Sequence, residues 1–147
     1  MTAPGSPKLS ALAPSLIAGS AAIFMLLGLI HLVYTFYGPK LLPRDRDLRA
    51  RMQEVSPVIT RETTMWKAWV GFNASHSYSL ILFGAVYGYL AVAHSDFLFQ
   101  SAFLLSLGLI LLFGYVFLAK RYFFRIPLWG VLLATVLYAL ALFVRWA

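Results

Sequence analysis

Four long apolar stretches separated by polar punctuation dominate the chain. The first runs from about Ala13 to Tyr37, the second from Met65 to Ala93, the third from Phe97 to Ala119 and the fourth from Pro127 to Val144. A bilayer-crossing helix takes about 20 predominantly apolar residues, so each stretch is long enough to span. Gly38-Pro39 ends the first, because proline cannot continue a helix. His94-Ser95-Asp96 is a tight turn in which Ser95 or Asp96 is placed to cap the third helix. Short connections favour antiparallel neighbours. The pattern predicts an all-α polytopic membrane protein, an up-down four-helix bundle, with residues 1–10 as a disordered lead and 11–147 as one membrane domain. The first stretch is too long for a signal-peptide core and no A-x-A site follows it, so it is expected to stay in the mature protein.

Residues 38–64 form the longest polar stretch. Within Arg44–Val55, Leu48, Met52 and Val55 share one helical face that the charged residues largely avoid. That spacing predicts an amphipathic helix on the membrane surface, with an Asp47–Arg51 pair at i, i+4. Ser56-Pro57 reads as the start of a further helix leading into the second span.

Composition changes the picture in one respect. Apolar residues make up 61% of the 147 residues and charged residues 12%, where a soluble domain carries roughly 25% charge. The net charge of +7 points to lipid rather than nucleic acid, because its carriers sit in loops flanking apolar segments. Lys40, Arg44, Arg46, Arg49, Arg51 and Arg61 lie in the first long loop and Lys120, Arg121 and Arg125 in the last. Only Lys8 and Arg145 lie at the other ends, nine against two. The positive-inside rule then places both loops in the cytoplasm and both termini outside. Arg44–Arg51 and Lys120–Arg125 are expected to meet anionic headgroups. The absence of cysteine removes thiolate metal sites and disulfides.

The candidate chemistry lies inside the spans. No carboxylate falls within any of them, which weakens a proton-coupled transporter. Two histidines remain, His31 and His76. At 1.5 Å per residue, His31 stands roughly 9 Å from the cytoplasmic end of the first span and His76 roughly 12 Å into the second. The two imidazoles are therefore expected at similar depth. The surrounding turn, Asn73-Ala74-Ser75-His76-Ser77-Tyr78-Ser79, is the most polar of any span. Trp69, Asn73, His76, Leu80 and Tyr87 share one stripe, and Ser20, Phe24, Leu27, His31 and Thr35 another. Facing inward, these stripes would line a pocket for a lipophilic molecule with a polar head. In it His76 and His31 are the candidate catalytic groups, while Asn73, Ser77, Trp69, Thr35 and Tyr34 are candidate ligand contacts. The competing interpretation is interhelical hydrogen bonding, worth roughly 0.6–2 kcal/mol per contact.

Two further function classes stay open. Gly71-x-x-x-Ser75-x-x-x-Ser79 and Gly84-x-x-x-Gly88 are close-packing motifs, as in an accessory subunit that assembles with itself or with a larger complex. His31 and His76 also have the number and placement for axial ligation of haem b, with Gly28 and Gly71 admitting the macrocycle. No other metal site is expected, His94 is expected to be solvated, and neither cofactor nor reaction is named by the sequence. Finally, MWKAWVGFNASHSYSLILFG, preceded by a helix holding GLIHLVY, resembles small bacterial four-span membrane proteins with a GFN-x-SH-x motif. The resemblance implies that Asn73, Ser75 and His76 occupy motif positions, and it implies no activity.

Overall fold

The computed structural model describes residues 7–146, with side chains from Leu12 onward. Six helices account for most of them: α1 (Pro7–Phe36), α2 (Arg46–Glu54), α3 (Met65–Ala93), α4 (Ser95–Gln100), α5 (Ala102–Tyr122) and α6 (Arg125–Trp146). The described residues contain no strand. α1, α3, α5 and α6 are long and apolar enough to cross a membrane, and only 28–33% of each apolar window is buried within the chain. Phe72, Val92, Ile110 and Phe143 are among the many large apolar side chains left exposed. Such a surface is stable in lipid and not in water. This is an all-α, multi-pass membrane protein. Most of the expected lead lies outside the described residues, and α1 already begins at Pro7.

Contacts divide the chain into two units, one of residues 1–27 with 80–147 and the other of residues 28–79. In the first, the four long helices each contribute to one core. Ile17, Phe24, Phe83, Tyr87, Leu98, Leu112 and Tyr138 are all at most 5% exposed. Phe24 and Phe83 pack with ring centroids 4.9 Å apart, and Tyr87 meets Tyr138 edge-on at 5.9 Å. Both phenols are satisfied: Tyr87 donates to the Leu104 carbonyl at 2.7 Å and Tyr138 to that of Leu105 at 3.2 Å. Glycine at 108 is required there, since a Cβ would collide with the Tyr138 hydroxyl.

The second unit holds the C-terminal end of α1, the connecting segment with α2, and the N-terminal half of α3. Gly38, at φ 82°, takes the left-handed conformation that stops α1. α2 is capped by Asp45, whose carboxylate accepts from the Asp47 and Leu48 amides. It buries no residue. The expected Asp47–Arg51 pair is replaced by Arg51–Glu54 at 3.0 Å, an exposed contact of little energetic weight.

Two helix boundaries differ from the sequence pattern. Ser56-Pro57 does not start a helix: residues 55–64 form a closed loop, joined by the Met65 amide on the Val55 carbonyl. Val58, Ile59, Thr60, Thr63 and Thr64 are β-branched and weak helix formers, and Thr64 instead caps α3 through the Lys67 amide. The third span is also interrupted. α4 ends at Gln100, and the Ser101 hydroxyl accepts from the Leu104 amide to cap a new helix. Neither Ser95 nor Asp96 caps α4. Position 94 precedes it without a side-chain cap, and the His94 ring bonds the Tyr89 hydroxyl at 3.0 Å.

Candidate functional site at His31, Asn73 and His76

The polar groups of the second unit converge on one point. His31, near the end of α1, places its Nε2 2.9 Å from Oδ1 of Asn73 on α3. The Asn73 amide nitrogen donates to the Trp69 carbonyl one turn earlier at 2.8 Å. That second bond fixes which end of the amide faces His31. Because Oδ1 can only accept, His31 Nε2 carries the proton and Nδ1 is the basic nitrogen of the neutral ring. The His76 ring meets the His31 ring edge-on, with centroids 5.1 Å apart and planes inclined by 73°. Two imidazoles and one carboxamide thus form a contiguous cluster on two membrane helices.

The other candidate residues divide. Thr35 turns its hydroxyl back onto the His31 carbonyl at 2.8 Å. Ser77, fully buried, donates to the Asn73 carbonyl at 2.9 Å, so it braces the backbone beside the cluster rather than presenting a group to a ligand. Ser75 is exposed and donates to the Phe72 carbonyl; Ser79 donates to that of His76. Tyr34, Thr35, Trp69 and Asn73 do come together, with Leu41, Leu42, Trp66 and Val70, around a cleft of only about 10 Å³. A single water needs at least about that volume. The pocket expected between the first two spans is therefore closed in this conformation, and neither histidine lines the cleft. The closure has a visible cause: Trp69 Nε1 donates to the Leu41 carbonyl at 3.2 Å and ties the connecting segment down over α3.

Open space flanks the cleft on two sides. A groove of about 350 Å³ is bounded by Lys40, Leu41, Leu42, Pro43, Met52 and Trp69. A second, of about 210 Å³, is bounded by Leu29, Ile30, Val33 and Tyr34. Trp69 belongs to both the cleft and the first groove, and Tyr34 to both the cleft and the second. The Trp69–Leu41 bond carried no sequence signal, since any backbone carbonyl can accept an indole proton.

The small residues behave differently along α3. A Cβ on Gly84 would stand 2.6 Å from Met25 Cβ and 2.7 Å from the Ala21 carbonyl oxygen, so α1 and α3 touch there. A Cβ on Gly88 would meet Ala21 at an ordinary 3.6 Å, and at Gly71 nothing lies within 4 Å. The haem reading fits the geometry poorly. Two axial nitrogens must stand roughly 4 Å apart with the macrocycle between them. Here the rings are in contact and His31 Nε2 is engaged by Asn73. Among the described residues, no three His, Cys, Asp or Glu side chains gather into a metal site.

The fold and this cluster define a polytopic α-helical membrane protein with an intramembrane histidine pair. No known protein family, curated protein or solved structure matches the chain.

Proposed function

We propose that this protein binds a lipophilic molecule by its polar head at the His31–Asn73–His76 cluster. The observation that carries the reading is the edge-on imidazole pair tied to a carboxamide within two apolar helices. Ionisable side chains at such positions are costly and are retained where they act. Where the bound molecule reacts, His31 and His76 are the acid–base pair, since an imidazole can both accept and donate a proton. Binding requires the cleft to widen, and Trp69, on the wall shared with the Lys40–Met52 groove, is the side chain that moves. Asn73 and His76 of the GFN-x-SH-x motif belong to the cluster, whereas Ser75 faces away. On this reading the motif marks a class of small bacterial four-span proteins that share the site.

The test is mass spectrometry of organic extracts from purified wild-type and His76→Ala protein. The wild type is expected to retain a lipophilic compound that falls about tenfold in the variant, equivalent to about 1.4 kcal/mol. The variant should remain folded, since alanine suits a helix. Equal retention, or none in either protein, would sink the proposal. A Soret band in the wild type would assign the pair to haem instead. A second reading is favoured by the uncovered small face at Gly71 and exposed Ser75, which suits packing against another membrane helix. Stable co-purification of a second membrane protein, lost on Gly71→Leu, would support it.

We infer further that the protein lies in the bacterial inner membrane with both basic loops in the cytoplasm. There Arg44–Arg51 and Lys120–Arg125 contact anionic headgroups. Single cysteines at Arg49 and Ser95 provide the check. An impermeant thiol reagent added to intact cells is expected to label Ser95→Cys and spare Arg49→Cys; the opposite pattern reverses the orientation.

A further inference from the structure

A further cavity lies away from the histidine cluster. It occupies about 460 Å³ where α4, the start of α5 and the end of α6 meet. That is the size range of a small-molecule site. Its walls change character along their length. Gln100, Ser106 and Arg145 are the polar contributors, whereas Leu105, Leu109 and Leu142 are apolar. Leu105 and Leu109 are one helical turn apart on α5, so the apolar wall extends roughly 6 Å along the helix. Trp146 completes the rim at the end of α6.

Arg145 is held in place rather than loose. Its guanidinium lies 5.3 Å from the centroid of the Phe99 ring, and Phe99 is only 4% exposed. A cation stacked on a buried ring is pre-positioned, with its planar edge still available to an anion. Among the described residues the one ion pair is Arg51–Glu54, and Arg145 takes no part in it. Arg145 also stands apart in the sequence from the two basic loops, which hold nine of the twelve basic residues.

We propose that this cavity is a binding site for an anionic phospholipid. The phosphate meets the guanidinium, the Gln100 amide and the Ser106 hydroxyl, and one acyl chain lies along Leu105, Leu109 and Leu142. Charge complementarity selects an anionic head, since guanidinium and phosphate match in a bidentate geometry. The leucine wall selects a lipid over a free anion, which would leave that surface uncovered. This site is independent of the His31–Asn73–His76 reading, and either can fail alone.

The experiment uses phosphatidylglycerol carrying a photoactivatable acyl chain, with crosslinks mapped by peptide mass spectrometry. Local mapping separates this site from lipid held at Arg44–Arg51. Crosslinks are expected on the α5 and α6 peptides containing Leu105, Leu109 and Leu142. They should fall about tenfold in Arg145→Gln, the weight of a charge-assisted hydrogen bond. Leu109→Trp, which fills the cavity and keeps the charge, should reduce them similarly without lowering the melting temperature. Unlabelled phosphatidylglycerol should compete, while phosphatidylcholine and inorganic phosphate should not. Equal crosslinking by a phosphatidylcholine probe, or crosslinking unchanged in Arg145→Gln, overturns the proposal. Competition by inorganic phosphate would reassign the site to a free anion.

Discussion

Gly84→Ala is expected to destabilise the protein by about 3 kcal/mol, the upper range for overpacking a well-filled core. The added methyl would stand 2.6 Å from Met25 Cβ and 2.7 Å from the Ala21 carbonyl oxygen. Neither contact is with a flexible side-chain end. One is with a carbon fixed to the backbone and the other is with the backbone itself, so the substitution must push α1 and α3 apart. Phe24 and Phe83, adjacent to this crossing in the sequence and packed at 4.9 Å, would separate with them. Gly88→Ala is the matched control. There the methyl lands 3.6 Å from Ala21 Cβ, an ordinary contact. Alanine also favours the helix over glycine by about 1 kcal/mol. Gly88→Ala is therefore expected to be neutral or slightly stabilising, and Gly71→Ala, with open space around it, likewise. Reversible unfolding in mixed micelles measures all three. Equal effects at 84 and 88 would show that the close approach at Gly84 does not exist in the folded protein.

Those glycines illustrate which features the sequence displays and which it conceals. The four spans are legible because each is a long apolar run, and lipid tolerates no other backbone arrangement than a helix or a closed barrel. Small-xxx-small spacing draws attention to Gly84 and Gly88 alike. Only the rotation of α3 against α1 makes one indispensable and leaves the other ordinary. Gly108 has no such motif and is nonetheless required, because Tyr138, 30 residues later, fills the space a side chain would take. The helix start expected at Ser56 fails, and the one at Ser101 goes unanticipated, for a local reason. Serine caps a helix wherever the chain enters one, so its presence marks a candidate start without deciding between Ser56, Thr64 and Ser101. At 101 it starts a helix inside an apolar run, and at 56 it does not.

The histidine pair was legible as a coincidence of depth, since rise per residue is nearly constant along a helix. The Asn73 bridge was not, because it depends on side-chain rotation as well as depth. The closed cleft was still less accessible. Its closure comes from a loop carbonyl at Leu41, and no side-chain identity at that position reports it. Sequence polarity placed three serines in the same turn, yet their hydroxyls turn to carbonyls of their own helix. Polar residues in a membrane helix thus serve two ends, and composition alone does not separate them.

Asn73→Ala and His31→Ala are each expected to cost about 2 kcal/mol, the penalty of a half-buried polar group stripped of its partner in an apolar span. In the first variant the His31 Nε2–H loses its acceptor in surroundings of low dielectric. In the second, Asn73 Oδ1 loses its donor, while the amide nitrogen keeps the Trp69 carbonyl. The double variant removes both orphaned groups together. It should be little less stable than either single variant, leaving a coupling of about 2 kcal/mol between adjacent partners. Ser77→Ala separates this pair from general polarity: its hydroxyl serves only the Asn73 carbonyl among the contacts that define the cluster, and a smaller loss of about 1 kcal/mol is expected. Unfolding of the four variants in one detergent system gives the cycle directly. Additive losses at 31 and 73 would mean that the two side chains do not share a bond in the folded state. Were the coupling present but ligand retention unchanged in Asn73→Ala, the cluster would be interhelical glue, and binding would have to lie elsewhere.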